Sequence, residues 1–380
     1  MQQATASFLR ELAGVARGAA HPADAGEPCH ACGRGGSGAV LADRPDGTVV
    51  RHGRAVAKAH APGTDARAHR ARLALAAHPR LAGILLPPLP AAVDDVRGRP
   101  VTAWPYGTPV DPEAPDAAPW EEAATLLARL HAVPVPELPG PIPPMRGPAK
   151  VARAMARLRA VTDTGSTTGA RNTASARNTA SARGVPGARD TTGAAHPAGT
   201  PEAAATTGTD AGPAPAGLLA AATAVEAAWR GLPAWARGDA PAPAAAALCH
   251  GDLHLGQLVR HPAATGPWLL IDIDDLGVGD PTWDLARPAA WYAAGLLAPR
   301  VWTRFLDAYR AEGGRAVPPE ADPWPRLDVA ARALTVQTAA LAIARSATEQ
   351  RVLDEVEVTV VDACARIAAL PPELEPMATS

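Results

Sequence analysis

A chain of 380 residues is longer than one core usually organises, so one large or two modest domains are expected. Nearly half of it is hydrophobic, but much of that is alanine, and two Phe and three Tyr stand against nine Trp. The formal charge is −2 and there is no basic block, which excludes a phosphate-tracking stripe and makes nucleic acid an unexpected partner.

Residues 1–28 form a lead segment. Arg10 and Glu11 interrupt what a signal peptide needs as an unbroken apolar core, whereas Phe8, Leu9, Leu12 and Val15 fall at helical spacing. The longest uncharged stretch, Gly212–Val225, is short and contains proline, so no membrane span is expected and the chain reads as cytoplasmic. Cys29 and Cys32 have the spacing of half a zinc site without a second clustered pair, and free thiols are the expectation for all four cysteines.

Residues 29–104 read as a β-rich unit. Ala39–Ala42 and Thr48–Val50 flank the turn Pro45-Asp46-Gly47, and Ala55–Ala59 is a further strand carrying Lys58. Thr64–Ala77 reads as a helix capped by Thr64, and Pro100–Trp104 as a strand. Pro105–Pro109 breaks the pattern as an interlobe hinge would, and residues 110–380 are mainly helical. Helices are expected from Pro119, with Leu126, Leu127 and Leu130 on one face, and over Lys150–Val161. Further helices are expected over Leu218–Trp229, Ala289–Ala311, Leu327–Thr348 and Val352–Leu370. Between them, residues 162–216 are rich in Thr, Ala, Gly, Ser and Pro and repeat Arg-Asn-Thr-Ala-Ser-Ala from Arg171 and Arg177. Such a stretch has no apolar face to offset the entropy of ordering and reads as a disordered insertion.

Of 36 basic residues, only Lys58 and Lys150 are lysine. A chain that otherwise uses arginine throughout makes each lysine informative, because a compact ammonium and a planar fork are not interchangeable at a phosphate.

The strongest chemical signal is His250-Gly-Asp-Leu-His-Leu-Gly-Gln257, followed by the apolar run Trp268–Ile271 that delivers Asp272. A strand pair would hold Asp252 and Gln257 before it and Asp272 at its end. Phosphoryl transfer from ATP needs such a set: a carboxylate for the incoming hydroxyl, and oxygen ligands that hold Mg²⁺ against the phosphates. A second signal is Gly33, Gly35 and Gly38 in a GxGxxGxV run ahead of the strand lysine, an arrangement in which backbone amides approach phosphates. A dinucleotide-binding reading fails, since strand and turn, not helix, follow the glycines.

HGDLHLGQ, LLIDIDDLGVGDPTWDLA, LLARLHAV and Lys58 in AVAK together resemble the aminoglycoside phosphotransferase and choline-kinase-like family, relatives of the protein kinases. HGDLHLGQ also looks like the loop of bacterial maltokinases. The resemblance implies an α+β, two-lobed protein-kinase-like fold, with a small antiparallel β N-lobe and a larger mainly helical C-lobe. It implies ATP and Mg²⁺ as cofactors and a small-molecule hydroxyl as acceptor. Asp252 would be the catalytic base, His250 a brace for its loop, and Gln257 and Asp272 the magnesium ligands. Gln257 stands where the family most often has Asn. Lys58 would meet the α- and β-phosphates, and the adenine would meet the hinge around Trp104–Tyr106. Asp280 and Asp284 match the stretch whose aspartates hold the loop.

One departure is that kinases pair the strand lysine with a helix Glu, whereas Thr64–His78 contains none; Asp65 or His69 is the nearest substitute. That absence keeps a nucleotide-binding pseudokinase acting through a partner as the alternative. Five acids, Asp272, Asp274, Asp275, Asp280 and Asp284, precede the next basic residue, Arg287. They either favour a cationic acceptor or serve metal, turns and a helix cap.

Overall fold

A computed structural model describes residues 2–21, 38–44, 47–91, 93–179, 215–242, 247–263 and 265–370. Helix α1 (Gln2–Ala20) leads into strands β1 (Ala39–Arg44), β2 (Gly47–His52) and β3 (Ala55–His60). Helix α2 (Ala66–Ala76) follows, then β4 (Asp95–Val96) and β5 (Arg99–Pro105). These strands form one antiparallel sheet in the order β1-β2-β3-β5-β4. Its core follows the two-residue period of a strand. Ala55, Ala57 and Ala59 of β3 are buried with Val50 and Val101 under Leu12, Val15 and Ala16 of α1, while Lys58 points to the opposite face. Small alanines on β3 let the helix lie close, and the predicted lead helix thus becomes the lid of the first sheet.

The chain leaves this sheet at Pro105 and joins a second one at β6 (Thr108–Pro109), which pairs with β8 (Leu258–Arg260) and through it with β9 (Trp268–Leu270). A two-stranded pair, β7 (Ala247–Cys249) with β10 (Gly277–Gly279), flanks β8 and β9 in sequence. The remainder is helical: α3 (Trp120–Ala132), α4 (Gly147–Thr179), α5 (Pro215–Arg230), α6 (Ala234–Arg237), α7 (Thr282–Ala294), α8 (Pro299–Ala311), α9 (Trp324–Glu349) and α10 (Glu355–Ala368). The expected α+β, two-lobed kinase-like class holds, with the antiparallel sheet first and the helices after it.

By internal contacts, Met1–Val151 with Leu232–Thr335 forms one unit and Ala152–Gly231 with Val336–Ser380 a second. In the first, Leu126, Leu127 and Leu130 of α3 are buried, and Trp120 meets Phe305 of α8 edge to face. In the second, α5 packs on α10, whose start carries a capping box from Asp354 and Glu357.

Three boundaries differ from those read in the sequence. The cap of α2 is Asp65, not Thr64: the Asp65 carboxylate accepts from Arg67 N and Ala68 N, while the Thr64 hydroxyl bonds back to Ala61 O. A carboxylate is the better partner for helix N–H groups. The single run expected over Ala289–Ala311 is two helices, because Gly295 takes a left-handed φ of 83° and ends α7 before Pro299 starts α8. Helix α4 continues past Val161 to Thr179, where the disordered insertion was expected to begin at 162; residues 180–214 lie outside the described ones. Ala and Arg in 162–179 are good helix formers, which a reading based on Thr, Ser and Gly content underweights. The apolar helix of membrane length among the described residues is Trp324–Glu349 rather than Gly212–Val225, and with 72% of its apolar window buried inside the protein it is a core helix.

Candidate active site

The loop after β7 and the turn after β9 carry the sequence-predicted acids, and the fold packs them together. The backbone of Gly251 has a φ of 83°, and a Cβ there would stand 2.5 Å from Asp275 O. Glycine at 251 therefore meets both a left-handed conformation and a close approach between the two segments. The Gly251→Ala variant is expected to lose about 2 kcal/mol or more of stability, read from the unfolding midpoint.

Asp284 on α7 braces the same loop from beneath. It is fully buried and accepts from His250 N (2.7 Å), Gly251 N (2.7 Å) and His131 Nε2 (3.0 Å), while His131 Nδ1 meets the Tyr309 hydroxyl at 2.8 Å. Burial pushes the Asp284 carboxyl up, but the bonds from His131 and Gly251 outweigh it and hold the carboxyl below the usual carboxylate range. His250 is also fully buried, and its Nε2 donates to Ile271 O at 2.8 Å. The histidine is thus a brace joining the Asp252 loop to the strand that delivers Asp272.

Asp272 follows β9 with a φ of 62°, uncommon for a residue with a side chain, and caps the short helical turn Ile273–Asp275. Lys58 Nζ lies 2.7 Å from Asp272 Oδ1 and 2.9 Å from Asp274 Oδ2. Burial disfavours the ammonium, yet the two carboxylates more than compensate and raise the Lys58 pKa. Asp274 also meets His60 Nδ1 at 3.0 Å, and burial of Asp274 is overcome by His60 and Lys58, which hold its carboxyl far below the usual range.

Asp275 lies on the other side of the same turn. Lys150 Nζ, from the first turn of α4, is 2.8 Å from Asp275 Oδ2 and 2.7 Å from Asp252 Oδ2. Arg287 of α7 holds Asp252 Oδ1 at 2.8 Å and Leu253 O at 3.0 Å, and Arg146 reaches Asp275 Oδ1 at 3.3 Å. Two charge clusters therefore meet at the 272–275 turn: Lys58 with Asp272 and Asp274, and Lys150, Arg287 and Arg146 with Asp252 and Asp275. Burial of Asp252 is outweighed by Lys150 and Arg287, so its carboxyl stays below the usual range and ionised at neutral pH.

Gln257 is nearly buried at the end of the loop, and its backbone O accepts from Ile271 N at 2.9 Å. Its amide nitrogen Nε2 lies 3.1 Å from His254 Nε2. His254 Nδ1 accepts from Gly256 N, and burial together with the Arg287 cation lowers its pKa to about 4, so the neutral ring carries its proton on Nε2. Two N–H groups cannot bond each other, so the amide pairs with that proton once it is flipped to bring its oxygen to His254, which leaves the second lone pair of that oxygen available.

The helix that lacks Glu reaches the site in another way. Asp65 serves only as the cap of α2. His69 is buried against His60, ring centroids 4.3 Å apart, and burial together with His60 lowers its pKa to about 4. Arg72, one turn on, donates to Leu276 O at 2.8 Å. The strand lysine takes its anions from the 272–274 turn instead of from a helix glutamate.

Other predicted residues lie as follows. Gly38 packs on β2, where a Cβ would meet Val50 Cγ1 at 2.7 Å and Arg51 O at 2.8 Å; Gly33 and Gly35 lie outside the described residues, as do Cys29 and Cys32. Cys249 and Cys364 are buried free thiols. Trp104 Nε1 donates to Thr102 Oγ1 at 2.9 Å. Tyr106 N donates to Arg54 O at 2.7 Å. The Tyr106 ring carries the Arg51 guanidinium at 3.4 Å from its centroid. All five acids of the 272–284 stretch have partners within the chain: Asp272 and Asp274 meet Lys58, Asp275 meets Lys150, Asp280 accepts from Thr282 N and Asp284 from His250 N. Sequence reasoning gave no role to Lys150, Arg287, His131 or His254, although His254 and His131 stand in HGDLHLGQ and LLARLHAV and Lys150 stood out by its rarity.

Residues 46–324 match the model of the phosphotransferase enzyme family. The chain belongs to that family. No curated protein matches it. Among solved structures it is similar to a choline/ethanolamine kinase family protein from Mesorhizobium loti, at 16% identity over 93% of this chain and 94% of the other, with a TM-score of 0.45. A choline kinase from Streptococcus pneumoniae matches at 12% identity over 87% and 94%, with a TM-score of 0.44. A spectinomycin phosphotransferase solved with ADP and spectinomycin matches at 10% identity over 88% and 92%, with a TM-score of 0.47. At these scores the assignment rests on the family match and on the geometry above.

Proposed function

We propose that the protein is an ATP- and Mg²⁺-dependent kinase that moves the γ-phosphate of ATP to a hydroxyl of a small molecule, aminoglycoside-like or sugar-like. The observation that carries this reading is that two charge clusters, Lys58 with Asp272 and Asp274 and Lys150 with Asp275 and Asp252, meet at the 272–275 turn. Together they gather the three functions such a transfer needs: a cation for the nucleotide, oxygen ligands for a metal, and a carboxylate base. Magnesium prefers hard oxygen ligands and keeps several waters. The Asp272 carboxylate and the Gln257 amide oxygen, the latter oriented by His254, suit it. When bound, the ion supplies charge neutralisation on the phosphates.

The rest is the work of this chain. Lys58 is drawn from Asp272 and Asp274 toward the α- and β-phosphates. Asp252 orients the acceptor hydroxyl and takes its proton as the oxygen attacks the γ-phosphorus and the bond to the β-bridging oxygen breaks, leaving ADP. His250 and Asp284 hold the loop so that the carboxylate does not drift. The test is ADP release from ATP and Mg²⁺ across a panel of aminoglycosides, sugars, choline and homoserine. One class is expected to drive release that chelating the metal abolishes. Tight ATP binding with no acceptor-dependent release from any of them would instead favour the pseudokinase, to which the missing helix glutamate points.

A further inference from the structure

Both lysines of a chain that otherwise uses arginine pair with aspartates of the 272–275 turn, Lys58 with Asp272 and Asp274 and Lys150 with Asp275. The kinase reading gives Lys58 a task and leaves Lys150 without one. Charge balance does not explain it: Asp252 already has Arg287 at 2.8 Å, and Asp275 has Arg146 at 3.3 Å. An ammonium has three hydrogens. Two of those on Lys150 are directed to Asp252 Oδ2 and Asp275 Oδ2, and the third has no protein partner among the described residues. The Lys150 side chain is 17% exposed, at the edge of the site and not in its core.

Resting on the kinase reading, we propose that Lys150 is a further catalytic residue, donating its third hydrogen to the γ-phosphoryl group as it moves. The chemistry places it there. If Asp252 accepts the proton of the attacking hydroxyl, a group bonded to Asp252 Oδ2 stands beside the phosphorus under attack. The charge that develops on the equatorial phosphoryl oxygens is best met by a compact cation that turns among them, where a guanidinium presents a fixed plane. In the step, the bond from γ-phosphorus to the β-bridging oxygen breaks with its electron pair remaining on ADP. The bond to the acceptor oxygen forms, the hydroxyl proton passes to Asp252, and Lys150 keeps all its protons.

The experiment uses the full chain and compares Lys150→Met and Lys150→Arg with the unaltered protein. Binding of ATP and of ADP, each with Mg²⁺, is measured by calorimetry, and turnover by ADP release with the best acceptor of the panel, or with water if none is found. The Met variant is expected to bind ATP roughly tenfold more weakly while ADP binding holds, because only ATP carries the γ-phosphate. The Arg variant keeps the charge and both carboxylate links. It is expected to bind ATP normally yet turn over at least about tenfold more slowly. Its melting temperature guards against a Met variant that fails to fold. Equal shifts for both nucleotides, no shift for either, or full turnover in the Arg variant would overturn the proposal and leave Lys150 as a tie between Asp252 and Asp275. Failure of the unaltered protein to bind either nucleotide would instead remove the kinase reading itself.

Discussion

Replacing Asp252 by Asn is expected to lower turnover by about three orders of magnitude while the fold persists, the range in which a positioned general base contributes. Asn keeps the volume, and its carbonyl can still accept from Arg287 or Lys150, which now stand 2.8 Å and 2.7 Å from the carboxylate. What the amide lacks is the ability to take a proton. The loss should therefore fall on the rate at saturating ATP and acceptor rather than on nucleotide binding. ADP release at saturation, beside a melting curve, separates the two effects. Turnover within a fewfold of the unaltered protein would remove Asp252 from the mechanism.

The largest stability effect is expected from Asp284→Ala. The carboxylate is fully buried and satisfies two backbone N–H groups and one histidine, so its removal orphans three buried donors at once. Breaking a buried pair of this kind costs about 3–5 kcal/mol, measurable by denaturant unfolding, and the Asp252 loop should lose order with it. The pH dependence has a definite sign. The Asp284 carboxyl is depressed in the folded protein, so on acidification the unfolded chain takes up the proton first. Its stabilisation is full above the ordinary carboxylate pKa of about 4 and fades as pH falls below it. In the alanine variant the decline of stability with acid should be shallower by that one group.

Local features were legible in the sequence because they obey short periods. The alternation in Ala55–Ala59 placed Lys58 on the open face of its strand, and the apolar run Trp268–Ile271 gave the strand that ends at Asp272. The loop from His250 to Gln257 was visible as a spacing of polar residues between two apolar runs. What escaped was whatever depends on pairing across long separations. Lys58 meets Asp272 across 214 residues and Lys150 meets Asp275 across 125, and no local pattern announces either bond. The missing helix glutamate is the clearest case: the sequence showed its absence, but not that the turn at Asp272–Asp274 would supply the anions instead. The cap at Asp65 and the break at Gly295 turn on one residue each, and there the broader propensity of the segment was a poor guide.

A chain with two side-chain amines, each held between two aspartates and each largely covered, has almost no lysine chemistry to offer elsewhere. Acylation, reductive alkylation or aldehyde coupling at lysine can reach this protein only by competing with those aspartates for the ammonium. Its arginine-rich exterior is blind to such reagents, and lysine-directed labelling becomes a direct report on whether the charge clusters are closed.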